Sequence, residues 1–360
     1  MTPAHPRGPA EVAWFSALCD DDYEFLGVPD PTLRSSWDHC RDIVQRAEQN
    51  GFDNVLLPSG YELGIDANAF AGAIATRTST IRLLLAIRCG ELWPPQLARQ
   101  IATLDQMAGG RIAINIISSD LPGQTLASGP RYRRTSEVIE IVRTLLNGHD
   151  LDFHGDFYDL QVKRPTAQTA SGTCPALYFG GLSDDARECA AAGVDVYLMW
   201  PDTLANVALL VDDMTTRANR RGRTLRFGYR VHVVVRETES QARAAADLLL
   251  SKLDASVGEA IRNKSLDTQS AGVRRQAEMR DTSSAHDGYV EENLWTGIAR
   301  ARSGCGAAIV GDPDQVLAKL LAYREVGIDA FILSGYPHLD ECDLFARYVL
   351  PRLGHAPLQL

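Results

Sequence analysis

Phe227-Gly-Tyr-Arg-Val-His-Val-Val-Val235 is a run of strand-forming residues with two ionisable side chains near its middle. Side chains alternate between the two faces of a strand, so Arg230 and His232 share one face while the aromatic residues and most of the valines share the other. A buried guanidinium is costly unless an anion meets it. The run therefore predicts a buried strand that carries an anion-accepting pocket. A structural arginine paired with a core carboxylate is the alternative.

A second apolar run, 330–333, opens into Ser334-Gly-Tyr-Pro-His338. This order of residues places a phenol, Tyr336, and an imidazole, His338, directly after a predicted strand. Together with Arg230 and His232, they indicate a lined pocket and not a plain core.

Short apolar runs alternate with amphipathic stretches along nearly the whole chain. Strands are predicted at 12–17, 54–57, 81–87, 111–117, 177–179, 194–198, 226–235 and 330–333. Helices are predicted at 37–50, 67–76, 96–107, 135–146, 184–192, 204–220, 239–253 and near 342–350. Eight strands with intervening helices favour an α/β fold of the (β/α)8 TIM-barrel type. A doubly wound open sheet is the alternative, but no G-x-G-x-x-G turn follows the first strand.

A barrel of this type needs about 250 residues, so roughly a hundred of the 360 are expected to be insertions into a single domain spanning 1–360. The insertions are predicted at about 118–134, 150–173 and 256–293. The second contains the hairpin-like segment 153–158. The third is polar, nearly free of large apolar residues and charged at several positions, which is typical of a functional or disordered loop. We predict a mobile lid there, with a passive disordered insertion as the alternative.

The composition excludes several classes of protein. A formal net charge of −10 argues against nucleic acid or an anionic membrane as a partner. The seven cysteines are scattered without a C-x-x-C pair, and no clustered metal ligands or hydrolase and nucleotide-binding motifs occur, so we predict no metal site. No apolar run approaches a membrane span, and the first residues lack an apolar signal core, so a cytoplasmic location is expected. His39, His149 and His154 are interpreted as solvated.

The carboxyl ends of the strands should hold the active site. Phe179-Gly-Gly-Leu-Ser183 ends one strand and starts a helix, so its backbone N–H groups could bind the phosphate of a flavin or of a phosphorylated substrate. Trp200 ends the next strand and could stack on a ring or merely cap the barrel. The basic cluster 131–134 is either a solvated face or a guard for an anionic ligand. Arg302 would be a second guanidinium at the barrel mouth if the third insertion folds over it.

The chain closely resembles the bacterial luciferase-like flavin monooxygenases, and within them the two-component alkanesulfonate monooxygenases. The matching segments cover nearly the whole chain, from about residue 12 to 352. They are Ala98-Arg-Gln-Ile-Ala-Thr-Leu-Asp105, Gly110-Arg-Ile-Ala-Ile-Asn115, Leu177-Tyr-Phe-Gly-Gly181, the run 227–237, Asn293-Leu-Trp295 and Ile332-Leu-Ser-Gly-Tyr-Pro-His-Leu339.

The resemblance implies that reduced FMN arrives from a separate NAD(P)H:flavin reductase, that O2 is the co-substrate, and that an organosulfonate loses sulfite and leaves an aldehyde. It implies a transient contact with the reductase and a homodimer or homotetramer. The residues implied for the sulfonate and the reaction are Arg230, Arg302, His232, Tyr336, Trp200 and His338. The residues implied for the flavin and its phosphate are Ser118, Tyr132, Gly180, Gly181 and Ser183.

Three strand ends depart from the family pattern. Cys19 stands where the family has a histidine, Gly60-Tyr-Glu-Leu-Gly-Ile-Asp66 replaces an expected cysteine, and Arg88-Cys-Gly-Glu-Leu-Trp93 also differs. These changes favour a more polar substrate, and the sulfosugar sulfoquinovose is the specific hypothesis, with Glu62, Asp66 or Glu91 meeting its hydroxyls. The alternatives are an F420-dependent oxidoreductase and a non-catalytic flavin- or sulfonate-binding barrel.

Overall fold

The computed structural model describes residues 8–60, 64–263 and 270–360. The strands of these residues are β1 (Glu11–Phe15), β2 (Asn54–Leu57), β3 (Arg82–Arg88), β4 (Ile112–Ile117), β5 (Leu151–His154), β6 (Asp159–Val162), β7 (Leu177–Phe179), β8 (Val196–Met199), β9 (Arg226–Val235), β10 (Tyr289–Glu291), β11 (Leu294–Trp295), β12 (Ala308–Gly311) and β13 (Ala330–Ser334). The helices are α1 (Trp37–Gln49), α2 (Ala67–Ala75), α3 (Pro94–Met107), α4 (Ser128–Leu146), α5 (Asp184–Gly193), α6 (Leu204–Asn219), α7 (Glu239–Leu250), α8 (Ala255–Asn263), α9 (Ala271–Ser283), α10 (Pro313–Glu325) and α11 (His338–Tyr348).

Eight parallel strands close into a barrel in the order β1-β2-β3-β4-β7-β8-β9-β13, and β13 pairs with β1. Neighbouring residues on a strand face opposite sides: Leu84 lies in a cluster inside the barrel, whereas Leu83 and Leu85 pack under the helices. The predicted TIM barrel is confirmed.

The ten-residue strand β9 is longer than the barrel wall and has two neighbours along one edge. Its first half pairs with β8, up to Tyr229 opposite Met199, and its second half pairs with β12, from His232 opposite Ala308. On the other edge β9 pairs with β13 as far as His232 opposite Ser334. The residues Arg230 to His232 therefore lie where β9 leaves the barrel wall, at the carboxyl end of the barrel.

The three predicted insertions differ in outcome. Residues 150–173 contain the antiparallel hairpin β5–β6, as the sequence indicated. The helix predicted to start at 135 starts at Ser128, so the basic cluster lies on α4 instead of ahead of it. Gly129 and Pro130 suggest a loop, but a proline in the first turn of a helix gives up no hydrogen bond.

The third insertion was wrongly predicted to be structureless. Its described parts, 256–263 and 270–293, form most of α8 and all of α9 and β10; residues 264–269 lie outside the described residues. α9 is capped by Ser270, whose hydroxyl accepts from the Val273 N–H at 3.1 Å. It buries Gly272, Gln276, Met279 and Ser283. Because these residues are mostly small or polar, the sequence shows no apolar stripe. Mobility of this segment stays a prediction, as does the single domain.

None of the helices in the described residues is long and apolar enough to cross a membrane.

Candidate active site

Arg230 is a buried cation without a carboxylate partner in the described part of the chain. It is 3% exposed, and its Nη1 donates to the carbonyl oxygens of Val231 at 3.1 Å and Ile332 at 3.5 Å. Its Nη2 has no hydrogen-bond partner among the described residues. The guanidinium lies over the ring of Phe15, with 4.3 Å from Cζ to the ring centroid. Burial lowers the pKa of Arg230. An anion placed against Nη2 would offset the cost of the buried positive charge and would supply the missing hydrogen-bond acceptor.

His232, two residues along the same face of β9, is fully buried and neutral. Its Nδ1 lies 2.7 Å from Oγ of Ser334 on the neighbouring strand β13. Burial, followed by the charges of Arg230 and Arg302, holds the pKa of His232 well below its ordinary value. Its Nε2 has no partner within the described residues. Depending on the tautomer that the Ser334 hydroxyl selects, Nε2 can donate to or accept from a ligand.

The depressed pKa of His232 predicts a pH dependence of stability. Below the ordinary histidine pKa of 6.5, His232 is protonated in the unfolded chain and stays neutral in the folded chain. The free energy of unfolding therefore falls as the pH falls. The slope from this one group is at most about 1.4 kcal/mol per pH unit. We expect His232→Asn to lose less stability than the wild type between about pH 7.5 and 5.5 in denaturant titrations. The exposed His149 supplies the control substitution, and an equal loss in His232→Asn and wild type would contradict this assignment.

Arg302 reaches the same cluster from the segment between β11 and β12. Its Nη1 donates to Oδ2 of Asp21 at 2.6 Å and to the phenol oxygen of Tyr336 at 2.7 Å. Burial opposes its charge, but the neighbouring Tyr336 and the Asp21 carboxylate raise the pKa of Arg302 well above its ordinary value. Arg302 is therefore a fixed cation whose position depends on Asp21, a residue that the sequence reasoning missed.

Tyr336 and His338 complete this group, which we call the arginine cluster (Arg230, His232, Arg302, Tyr336 and His338). The Tyr336 ring stacks on His338, with 5.2 Å between ring centroids, and lies 5.0 Å from the His232 ring. Burial raises the pKa of the Tyr336 phenol, so it stays protonated. The backbone N–H of His338 donates to Asp22 at 3.0 Å, and its Nε2 has no partner in the described ranges.

A second group of side chains surrounds a cavity of about 250 Å³ at the ends of β4, β7 and β8. We call it the cofactor cavity. The cavity is lined by all five residues that were expected to hold a flavin, which are Ser118, Tyr132, Gly180, Gly181 and Ser183. Trp200 also lines it. Asn115 and Met199 were named only as strand-end residues, Arg131 only as part of a basic cluster, and Tyr197 was not singled out. All four line the cavity. Tyr197 and Met199 are strand residues of a kind that also fills hydrophobic cores, so nothing in the sequence indicates that they line a cavity.

The two glycines of this cavity are required by close approach of backbone. A Cβ at Gly180 would lie 1.9 Å from the carbonyl oxygen of Leu198, and a Cβ at Gly181 would lie 2.7 Å from Cβ of Ala186. Ser183 caps α5, and its hydroxyl accepts from the Ala186 N–H at 3.2 Å. Gly180, Gly181 and Ser183 thus leave backbone N–H groups beside the start of a ten-residue helix.

Arg131 adds a cation to this side of the cavity. Its guanidinium lies over the Tyr132 ring, 5.3 Å from the centroid, and its buried Nε has no partner in the part of the chain described. Asp120 is its nearest carboxylate, at 3.6 Å from Nη1. The glycine turn, the start of α5 and a guanidinium N–H without a partner in the described residues form a site that fits a phosphate group.

Helix α9 closes the cofactor cavity on one side through Ser270, Ala271 and Gly272. A Cβ at Gly272 would lie 2.9 Å from Cζ3 of Trp200, so the helix backbone rests on the indole. Gly304, two residues after Arg302, approaches the same indole, with 3.3 Å from its would-be Cβ to Cζ2. Trp200 is therefore contacted both by α9 and by the segment that carries Arg302.

Two polar contacts fix α9 in this position. Arg275 donates to both carboxylate oxygens of Asp202, at 2.7 and 2.8 Å. Gln276 donates to the Pro201 carbonyl at 2.7 Å and accepts from the Gly306 N–H at 3.2 Å. The helix is thereby attached both to the end of β8 and to the segment before β12.

We expect Arg275→Ala to weaken flavin affinity about 3- to 10-fold, because a bidentate pair that orders one wall of the cavity is lost. Fluorescence titration with FMN measures the change. Arg280→Ala is the matched control on the same helix, since Arg280 pairs with its neighbour Asp281. An unchanged affinity in Arg275→Ala would show that α9 does not shape the cofactor cavity.

The predicted site residues fall into two groups on the same end of the barrel. The arginine cluster comes from β9, from the turn after β13 with the start of α11, and from the segment before β12. The residues expected to hold the flavin come from α4, from the end of β4 and from the turn between β7 and α5. Trp200 lies between the two groups and belongs to the wall of the cofactor cavity. No cluster of metal-ligating side chains occurs in the described residues.

The strand-end departures have different outcomes. Partial burial and the charge of Asp21 raise the pKa of the Cys19 thiol, so it stays neutral. Glu91 pairs with Arg88 at 3.0 Å, and Asp66 caps α2 by accepting from the Ala69 N–H at 2.7 Å, so both are already engaged. Glu62 lies outside the described residues.

His39 was interpreted as solvated, and this was wrong. It is largely buried, and its Nε2 lies 2.9 Å from Oδ2 of Asp22. Asp22 in turn holds the backbone of His338, so His39 supports the arginine cluster from behind.

A closed parallel barrel with buried cations at the carboxyl ends of its strands is typical of TIM-barrel enzymes that bind an anionic ligand. The family described as luciferase-like monooxygenase matches residues 25–330, so the chain belongs to the luciferase-like monooxygenase family. It is a flavin-dependent monooxygenase that uses a reduced flavin and O2.

Two curated relatives are similar over nearly their whole length. The sulfoquinovose monooxygenase of Novosphingobium aromaticivorans is 66% identical, over 97% of this chain and 98% of that protein. The sulfoquinovose monooxygenase of Agrobacterium fabrum is 51% identical, over 96% of this chain and 90% of that protein. Among solved structures, DmoA from Hyphomicrobium sulfonivorans has the same fold, with a TM-score of 0.75 at 17% identity over 97% of this chain and 89% of that one.

Proposed function

We propose that the enzyme oxidatively desulfonates sulfoquinovose, using reduced FMN and O2. The C–S bond of the sulfonated carbon breaks, giving sulfite and the aldehyde 6-oxo-glucose. One oxygen atom of O2 enters the products and the other leaves as water, while reduced FMN becomes FMN. The observation that carries the proposal is the 66% identity to a sulfoquinovose monooxygenase over 97% of the chain. The buried Arg230, which has no carboxylate partner among the described residues, supports it independently.

Arg230 and Arg302 are proposed to bind the sulfonate. Nη2 of Arg230 is a donor without an acceptor in the described residues, and a sulfonate oxygen is an acceptor of suitable charge. Arg302 contributes positive charge from a position fixed by Asp21. Negative charge that develops on the leaving sulfite would remain between the two guanidiniums, which is where preorganised cations are most effective.

The neutral groups of the arginine cluster are proposed to orient the reacting carbon. His232 presents Nε2 from a fixed ring, and Tyr336 presents a protonated phenol that already accepts from Arg302. A neutral imidazole at this point can take the proton that the sulfonated carbon must lose when it becomes an aldehyde. His338 packs behind Tyr336 and holds its ring.

The flavin would be held by Ser118, Tyr132, Arg131, Gly180, Gly181 and Ser183, and when bound it would supply the two electrons and the activation of O2 that the reaction needs. The phosphate cradle favours FMN over a flavin without phosphate. Trp200 and α9 would exclude water from the space between flavin and sulfonate. Reduced FMN would come from a separate flavin reductase in a transient encounter. A homodimer or homotetramer and a cytoplasmic location stay predictions.

Sulfite release under air tests the proposal, with FMN, NAD(P)H and a generic flavin reductase and with a panel from methanesulfonate to sulfoquinovose. We expect release from sulfoquinovose above all other members. Release from simple alkanesulfonates only would make the enzyme an alkanesulfonate monooxygenase. F420-dependent tetrahydromethanopterin reductase shares the fold at a TM-score of 0.68, so reduced F420 is included, and we expect no turnover with it.

A further inference from the structure

Several buried polar atoms around the arginine cluster lack partners in the described residues, and two of them fix the kind of partner that is missing. Nη2 of Arg230 can only donate a hydrogen bond, so its missing partner is an acceptor. Oδ1 of Asp21 can only accept one, so its missing partner is a donor. Buried polar atoms are nearly always satisfied in a working complex. The site therefore calls for a ligand that both accepts and donates.

A sulfonate alone cannot meet this requirement. Its oxygens accept hydrogen bonds, and the alkyl chain of a simple alkanesulfonate has no donor. A sulfonated sugar carries hydroxyl donors a few bonds from its sulfonate, so one molecule could reach both Arg230 and Asp21.

Asp21 is oriented for this role by its neighbours. Its Oδ2 is held by Arg302 at 2.6 Å, which leaves Oδ1 for a ligand. The flanking carboxylates are engaged elsewhere: Asp20 accepts from the Ser35 N–H at 2.7 Å, and Asp22 accepts from His338 and lies 2.9 Å from the His39 ring. Arg302, which holds Oδ2 of Asp21, also donates to the Tyr336 phenol at 2.7 Å, so the Asp21 carboxylate lies beside the arginine cluster in the loop after β1.

We propose that Asp21 is the specificity-determining residue of the site, accepting a hydrogen bond from a sugar hydroxyl through Oδ1 while it positions Arg302 through Oδ2. The inference rests on the proposed function for the identity of the sugar. The sequence suggested Glu62, Asp66 or Glu91 as the residues that recognise the sugar hydroxyls. We assign this role instead to Asp21, which contacts the arginine cluster directly.

Asp21 could instead act only by holding Arg302. In that case its removal would weaken every sulfonate alike, because all of them share the charged group that Arg302 meets. An acceptor for hydroxyls affects hydroxylated ligands selectively. The ratio of two affinities therefore separates the two roles.

The experiment measures binding of sulfoquinovose and of hexanesulfonate to the flavin-loaded enzyme without oxygen, by calorimetry, for wild type and Asp21→Ala. We expect the affinity for sulfoquinovose to fall about 10- to 100-fold more than that for hexanesulfonate, the range for a hydrogen bond to a charged acceptor. Asp20→Asn is the neighbouring control and should leave the ratio unchanged. FMN affinity, measured on the same samples, establishes that each variant is folded.

Equal losses for both ligands, or no loss for sulfoquinovose, would overturn the inference. A different result would contradict the proposed function: the wild type would bind sulfoquinovose with a preference that depends on Asp21, and yet it would release no sulfite from it. That outcome would support Asp21 as the acceptor for a sugar hydroxyl and would show that the enzyme does not desulfonate sulfoquinovose.

Discussion

Replacing Arg230 by methionine is expected to lower kcat/KM for sulfite release about 1000-fold, because truncating one partner of a buried, hydrogen-bonded charge pair costs several kcal/mol. Methionine is apolar and unbranched, so it replaces the aliphatic part of the arginine side chain without adding a polar group. The free energy of unfolding should stay the same or rise, since the substitution removes a buried charge that the described residues leave without a carboxylate. Steady-state sulfite release and denaturant titration measure the two effects.

Arg236→Met is the matched control, six residues further along the chain. Arg236 forms a bidentate pair with the buried Glu341, at 2.6 and 3.1 Å. Burial already raises the pKa of Glu341 to about 7, and losing its cation should cost about 3 kcal/mol of stability. The control should thus lose stability and keep turnover, the reverse of Arg230→Met. If Arg230→Met kept turnover within tenfold of wild type, Arg230 would be structural and the sulfonate site would lie elsewhere.

Gly180→Ala is expected to have the largest effect on cofactor binding. The added Cβ would lie 1.9 Å from the Leu198 carbonyl oxygen, so β7 and β8 would have to separate exactly where the phosphate cradle begins. We expect FMN affinity to fall at least about 30-fold and the free energy of unfolding to fall by about 3 kcal/mol, the cost of overpacking a tight contact. Fluorescence titration and denaturant unfolding measure the two quantities.

Gly129→Ala is the control for the alanine itself. Gly129 lies in the first turn of α4, and its Cβ would meet only the Arg133 side chain, at 3.4 Å. That variant should bind FMN as the wild type does, since the added methyl group meets the end of a flexible side chain. Undiminished FMN affinity in Gly180→Ala would place the flavin phosphate away from the Gly180–Ser183 cradle.

The two leading variants should also fail in different ways. Arg230→Met should keep its FMN affinity, because Arg230 lies in the arginine cluster and not on the wall of the cofactor cavity. Gly180→Ala should lose FMN first and turnover as a consequence. A common failure of both would indicate that the two groups of residues form one undivided site.

Sequence reasoning succeeded where a local pattern has one physical meaning. The alternation along 227–235 placed Arg230 and His232 on one face of a strand, and the register with β13 is what brings Ser334 and Tyr336 beside them. Gly180 and Gly181 were singled out because two adjacent glycines before a helix can leave backbone N–H groups open, a common pattern that is a weak signal on its own. The structure shows that a side chain at either position would clash, and their role toward a flavin stays a proposal.

It failed where contacts are small, polar or distant. α9 packs through Gly272 and Gln276, which produce no apolar periodicity, so the helix was taken for a loop. Asp21 belongs to a run of three aspartates that resembles a solvated loop, and its partner Arg302 is 281 residues away. Only the closed barrel brings the end of β1 to the segment before β12.

A single-turnover experiment tests the desulfonation most directly. The enzyme is loaded with chemically reduced FMN, without any reductase, and mixed with sulfoquinovose in oxygenated buffer, and sulfite, 6-oxo-glucose and hydrogen peroxide are quantified. The account predicts sulfite and 6-oxo-glucose in equal amounts, with little peroxide. The desulfonation would be contradicted if the flavin were completely oxidised and all the O2 consumed appeared as hydrogen peroxide, with no sulfite, in an enzyme that binds both ligands.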